Sequence, residues 1–229
     1  MTTEEEIAAL KAQVAELAHR TGVIEDLQEI RTLHFKYGYY MDKWLFPEIV
    51  DLFARDGEFH FLNGVFKGQK GIKRFFGDGF GIDGPTYGVL TDHLQVQDIV
   101  DVAPDRMTAK GRFRCFLMGG IHESKTESTS IPGQFWEGGV YENTYVKENG
   151  VWKIRVLNYN LSWQAEYEKG WARSSKELLM VSQFTKTYPD DPRGPDLLKP
   201  EPARHWPDAT MVSFHYPHPV TGIKGRHTD

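Results

Sequence analysis

A tyrosine, an aspartate and a histidine carry most of the chemistry this chain can offer. Tyr37 and Asp42 stand five residues apart in Tyr37-Gly-Tyr-Tyr-Met-Asp42-Lys-Trp, near the end of an amphipathic helical stretch. His93 follows in Thr91-Asp-His93, on a segment that reads as a strand. A carboxylate that orients and charges a histidine makes a general base near neutral pH. No cysteine cluster, phosphate loop or dinucleotide fingerprint competes with this set. The glycine run Phe76-Gly-Asp-Gly-Phe-Gly81 lacks a Lys-Ser/Thr ending and is expected to be a mobile loop over a pocket mouth. No paired histidines at helical spacing suggest a metal site, and His34, His60 and His122 read as structural or exposed. The expected chemistry is acid–base catalysis by side chains, with no metal and no cofactor.

Composition narrows the partners. The chain has 229 residues, 40% of them hydrophobic, 26% charged and 13% aromatic. Its net charge of −5 gives nucleic acid or an anionic membrane no electrostatic attraction. Cys115 stands alone and predicts a reducing, cytoplasmic setting. The acidic start Met1-Thr-Thr-Glu-Glu-Glu is unlike a secretory signal, and no apolar run is long enough for a membrane span.

The elements that must position the three residues follow from hydrophobic period. Thr3 before Glu4-Glu5-Glu6 predicts a helix start, and Ile7, Leu10, Val14 and Leu17 form a two-heptad stripe able to lie on a partner subunit. A second helix is expected over about Ile24 to Lys43, and a third from Pro47 to Phe53. The period then changes to two. Glu58 to Leu62 reads as a strand, Asn63-Gly64 as a hairpin turn, Val65-Phe66 as its return, and Gln69 to Phe76 as a short helix. Strands are predicted over Thr91–Val100, Met107–Leu117, Gln134–Val146 and Val151–Ser162, with Asn149-Gly150 turning the last pair. From Tyr188 the chain is rich in Pro, Asp and Arg and is expected to be irregular, ordered only by wrapping its own core or a neighbour. The domain reading is an N-terminal amphipathic helix over 1–21, a catalytic domain over 22–170 and a C-terminal extension over 171–229. Helices followed by an antiparallel meander make it α+β.

That order of elements resembles the nuclear-transport-factor-2-like superfamily, and within it the SnoaL-like and scytalone-dehydratase-like enzymes. The resemblance rests on Phe35-Lys-Tyr-Gly-Tyr-Tyr-Met-Asp42, Val50-Asp-Leu-Phe-Ala-Arg-Asp-Gly57, Gly64-Val-Phe-Lys-Gly68, Asp92-His93 and Gly150-Val-Trp-Lys-Ile154. It implies a curved antiparallel sheet, cone-shaped and capped by helices around one deep apolar pocket. Asp42 and His93 match the acid–histidine dyad of scytalone dehydratase, hexachlorocyclohexane dehydrochlorinase and bile-acid dehydratase, and Tyr37 matches the tyrosine of the last. Scytalone dehydratase's second histidine and pocket asparagine fall at Met118 and Tyr141 here, which argues against scytalone as substrate. The resemblance also implies a homo-oligomer, with a trimer favoured over a dimer.

In the register implied by the resemblance, strand alternation sorts the side chains. With His93 inward, Arg112, Arg114, Phe116 and Met118 face the pocket on the next strand, and Glu137, Gly139, Tyr141 and Asn143 on the third. Leu157, Tyr159, Leu161 and Trp163 follow on the last, with Phe59 and Phe61 on the early hairpin. Such a lining suits a small aromatic substrate. Arg114 is expected to meet either a substrate anion or Glu137, because an unpaired buried charge is costly. The expected catalytic set is His93, Asp42, Tyr37, Arg114, Tyr141 and Tyr159. The remaining inward side chains Phe59, Phe61, Phe116, Met118, Glu137, Asn143, Leu157 and Trp163 would bind substrate.

The expected function is a cofactor-independent lyase. It would remove water from an aromatic alcohol through a quinone methide, and then a proton or formaldehyde. The second outcome is the chemistry of the diarylpropane γ-formaldehyde lyases, which form lignostilbene from a lignin-derived diol and which this chain resembles in fold and aromatic character. A steroid- or polyketide-type dehydratase or isomerase, and a non-catalytic binding domain, are the alternatives.

Overall fold

The computed structural model describes residues 2–79, 84–125, 132–225 and 227–228. Helix α1 spans Thr3–Asp42 without interruption, where two helices were expected. Its N-cap is Thr2. The Thr2 hydroxyl accepts from the Glu5 backbone N–H (3.3 Å), and the Glu5 carboxylate accepts from the Thr2 N–H (2.7 Å). This capping box satisfies two otherwise orphaned donors. A lone Gly22 costs a helix only about 1 kcal/mol, and here it has a packing use: any Cβ on it would collide with the Arg106 guanidinium.

The buried face of α1 runs Gly22, Asp26, Ile30, His34, Tyr37, Gly38 and Met41, a helical spacing of three and four. Asp26 fastens this face to the sheet. Its carboxylate accepts from Arg106 Nε (2.5 Å), from Trp152 Nε1 (2.9 Å) and from Lys147. Burial alone would raise the Asp26 pKa, but these donors outweigh it and hold the group at about 2.

Helix α2 spans Phe46–Asp51 with Pro47 in its first turn. The expected third helix therefore ends early, and Phe53 opens a strand instead. Strands β1 (Phe53–Phe61) and β2 (Gly64–Lys67) form a hairpin in which Phe61 pairs with Gly64. The turn is accordingly Leu62-Asn63 rather than Asn63-Gly64. The Asn63 amide is committed to the tail, donating to Phe184 O (2.9 Å) and accepting from Phe184 N (2.8 Å). Helix α3 spans Gly68–Gly79, so Phe76 to Gly79 of the glycine run are helical and not a loop; Phe80 and Gly81 lie outside the described residues.

The remaining strands are β3 (Val89–Val102), β4 (Thr108–Ile121), β5 (Gln134–Glu148), β6 (Val151–Glu166) and β7 (Leu197–Leu198). Their order is β3-β4-β5-β6-β1-β2-β7. Neighbours are antiparallel except β1 and β6, which run parallel. Asn149-Gly150 forms the β5–β6 turn with both residues at positive φ (52° and 81°), the conformation of a type I′ hairpin. The result is the expected α+β cone: a curled, unclosed, antiparallel-rich sheet whose inner face packs against the helices. The core lies between them, with Ile30, Tyr37, Phe53, Phe66, Ile72, Phe76, Phe113, Tyr141 and Leu157 among its buried members.

Beyond a short 3-10 turn at Trp171–Arg173 and strand β7, the C-terminal segment has little regular structure, yet it is pinned to its own domain. Arg74 bonds Asp196 (2.7 Å), Gln183 and Ala203 exchange two hydrogen bonds, and Arg112 on β4 donates to Val212 O (2.9 Å) while lying over Phe214. Among the described residues no helix is long and apolar enough to cross a membrane.

Candidate active site

The end of α1 and the middle of β3 meet because Gly38 has no side chain. A Cβ at that position would stand 2.7 Å from the Gln95 side chain and 3.0 Å from the His93 carbonyl. This close approach brings Asp42, the last residue of α1, against His93. Asp42 Oδ1 accepts from the His93 backbone N–H (2.6 Å) and from His93 Nδ1 (3.0 Å). Thr91 donates to the Asp42 carbonyl (3.2 Å), tying the helix end to the strand. A carboxylate is an acceptor only, so His93 Nδ1 carries a proton and donates it to Asp42, which leaves Nε2 as the ring nitrogen outside this pair.

That cavity has a volume of about 80 Å³. Its polar groups are His93, Thr91, Glu137, Gln164 and the phenols of Tyr37, Tyr141 and Tyr159; aromatic and aliphatic side chains, including Phe59 and Phe61, make up the rest. Glu137 is buried. Its Oε1 accepts from Tyr159 (2.7 Å) and its Oε2 from Gln164 (2.5 Å). Burial raises the Glu137 pKa, and the two hydrogen bonds and nearby His93 only partly oppose it. Burial likewise pushes Tyr37, Tyr141 and Tyr159 above the usual phenol range, so all three remain O–H donors at neutral pH. The site thus sets a histidine and a buried carboxyl group across one apolar space, the two kinds of group that general acid–base catalysis uses.

The structure brings His93, Asp42, Tyr37, Tyr141, Tyr159, Glu137, Phe59 and Phe61 together here, and six expected site residues lie elsewhere. On β4 the register is one residue off the expectation: His93 pairs with Leu117, so Phe113, Cys115 and Leu117 face inward. Arg114, Phe116 and Met118 consequently lie on the outer face. Arg114 is exposed and donates to Gln97 (3.0 Å), so it meets neither the cavity nor Glu137. Arg112, also expected inward, pairs with Glu142 (2.6 Å) outside. Phe116 stacks on Trp136 (5.3 Å between ring centroids).

On β6 a bulge moves Trp163 outward. Gly139 pairs with Leu161 while Gly138 pairs with Trp163, which skips Ser162 and turns Gln164 into the cavity. The Gly138-Gly139 pair makes room for this. A Cβ on Gly138 would enter the Trp163 indole, and one on Gly139 the Tyr159 ring. Asn143 and Leu157 do face inward but lie in the core beneath the cavity. Asn143 donates to Tyr145 OH (3.1 Å) and accepts from Asn158 N (3.0 Å). It also contacts His34, whose pKa burial lowers to about 3 and whose Nε2 meets Gln95 (3.0 Å).

Sequence reasoning missed Gln164, Thr91, Leu117, Phe135, Phe75 and the tail residues Met180 and Val181. The glycine pair opposite β6 was the available signal for Gln164. The tail had none, because its placement depends on Leu179 N donating to Gln164 Oε1 (2.7 Å) and on the Asn63–Phe184 bonds. Among the described residues no group of three or more His, Cys, Asp or Glu side chains is arranged to hold a metal ion.

Several solved structures are similar to this chain. One is a Novosphingobium aromaticivorans protein proposed to be a scytalone dehydratase (22% identity, 65% of this chain and 91% of that one, TM-score 0.49). Another is a hexachlorocyclohexane dehydrochlorinase, LinA type 2 (17% identity, 65% and 91%, TM-score 0.49). No curated protein matches the chain. Residues 22–158, well over half of the sequence and the stretch that builds the cone and most of its cavity, match the SnoaL-like domain, and the chain belongs to that family.

Proposed function

We propose that this protein is a cofactor-independent lyase of the dehydratase type, acting on a small aromatic alcohol. The observation that carries the reading is the placement of the Asp42-oriented His93 and the buried Glu137 carboxyl in one apolar cavity. The preferred substrate is a phenol bearing a benzylic hydroxyl para to its ring hydroxyl, as in lignin-derived diaryl diols. His93 Nε2 takes the phenolic proton, and the released electron pair moves through the ring to expel the benzylic hydroxyl. Glu137 protonates that hydroxyl as it leaves, so water departs and a quinone methide remains. In the second step Glu137, now a carboxylate, takes the proton of the neighbouring hydroxymethyl group. The carbon–carbon bond breaks, formaldehyde leaves, and the electron pair returns to the phenolate, which recovers its proton from His93. Atoms and charges balance over the two steps, and both side chains finish as they began.

Tyr37 and Tyr141 supply O–H donors for the developing oxyanion. The cavity is small against the ~300–1,000 Å³ of typical ligand pockets. A two-ring substrate therefore requires the Met180–Val181 segment to draw back, whereas one ring needs less movement.

Glu137→Gln keeps the shape and the Tyr159 contact but has no proton to give. Turnover is expected to fall ~10²–10⁴-fold, and the decline in rate as pH rises through the elevated Glu137 pKa should vanish from the residual activity. An unchanged high-pH limb would remove Glu137 from the mechanism. The reading as a whole is tested by mass spectrometry of purified protein with a diguaiacylpropanediol, single-ring benzylic alcohols and steroidal alcohols. Loss of water plus formaldehyde is the expected result. Loss of water alone would make the enzyme a simple dehydratase, turnover of the steroids alone would favour the alicyclic alternative, and inertness throughout would leave a binding domain.

A further inference from the structure

The N-terminal half of α1 lies open to solvent. Every position from Thr3 to Thr21 is exposed, although Ile7, Leu10, Val14 and Leu17 lie among them. With Ile24, these are large aliphatic side chains about half to two-thirds open to solvent. A polar, solvated helix end would need no explanation; a continuous aliphatic stripe on one does.

The stripe has a coiled-coil period. With Ile7 in position a, Leu10, Leu17 and Ile24 fall in d, Val14 and Thr21 in a, and the pattern stops at Gln28 and Arg31. At about 100° per residue, its centre lies roughly 150° around α1 from Gly22, Asp26 and Ile30, which face the sheet. A second helix can therefore lie along it without meeting the domain that α1 carries. Flanking charges select the partner. In a parallel pair each g residue faces the following e residue of the other helix. Glu6 would meet Lys11 and Arg20 would meet Glu25, opposite signs at both places. The identical chain supplies this complement without any other partner.

A free peptide of three heptads is marginal because helix nucleation is unfavourable. Here the helix is already nucleated, capped by Thr2 at one end and packed into the domain from Gly22 onward. We propose that the N-terminal half of α1 is a docking surface for a second copy of this chain, forming a parallel two-stranded coiled coil over Glu6 to Ile24. Two strands follow from β-branched Ile7, Val14 and Thr21 at a with leucine at the first two d positions.

Light scattering on the full chain tests this. The expected result is a dimer that becomes a monomer in the Leu10→Lys/Leu17→Lys variant while the cone stays folded. Orientation is read by Val14→Cys. Cys115 is buried, so the new thiol is the accessible one, and mild oxidation should link two copies through position 14. The control Glu16→Cys, on the outer helix side, should not link. Charge reversal gives an independent arm: Glu6→Lys should weaken the dimer, and adding Lys11→Glu should restore it. A monomeric or trimeric wild type, a dimer indifferent to the leucine substitutions, or failure of the Val14→Cys variant to cross-link would each overturn the proposal.

Discussion

Replacing His93 with alanine is expected to cut turnover by ~10²–10⁴-fold or more while leaving the protein folded. The size follows from position: among the described residues His93 supplies the only imidazole that lines the cavity, and Asp42 fixes it there through Nδ1. The three phenols that line the cavity cannot replace it, because burial raises their pKa further above the usual phenol range. Substrate affinity should change far less than turnover, since the aromatic wall is untouched. The check is kcat and KM measured beside a thermal melt. A folded variant that retains full turnover would end the acid–base reading. Loss of turnover together with loss of fold would instead mark the Asp42–His93 pair as structural. The main-chain bond from His93 N to Asp42 survives the substitution, so the helix end should stay in place.

Asp26→Ala is expected to produce the largest loss of stability, about 3–5 kcal/mol. Asp26 is buried and is the shared anion for Arg106, Lys147 and Trp152, which come from the β3–β4 turn, β5 and β6. Removing it strands two cations at the place where α1 leaves the sheet. Urea unfolding reads the loss directly; a midpoint close to wild type would show that water replaces the carboxylate cheaply. The same group sets an acid limit. Its folded pKa of about 2 lies below the ordinary 3.8, so its stabilisation is complete above pH ~4 and is lost as pH falls towards 2. Asp26→Ala should lack this component of acid unfolding.

Much of this architecture is legible in the sequence itself. The switch from period 3.6 to period 2 after Gly57 marked the change from helix to sheet, and Asn149-Gly150 marked a turn that only positive φ at both residues permits. The acid–histidine pair was legible because its two halves sit on strongly patterned elements, a helix end and a strand. Alternation on β5 likewise placed Glu137 and Tyr141 on the inner face, since Gly139 between them keeps the count.

The chemical inventory and the elements that carry it could thus be read along the chain, whereas the facing of β4 and β6 and the cover of the cavity came only with the packed fold. On β4, Phe113-Cys115-Leu117 and Phe116-Met118 are both apolar, so either row could be buried by hydrophobicity. A one-residue slip exchanges the faces, and the partner strand chooses between them. The two arginines at 112 and 114 alternate with the inner row and turn out to solvent and to the tail, where their side chains find Glu142 and Gln97. On β6 the bulge that exchanges Trp163 for Gln164 lies opposite Gly138 and Gly139, where a Cβ would run into the Trp163 and Tyr159 rings. The Met180–Val181 cover is held by bonds to residues far away in sequence, which no local period encodes.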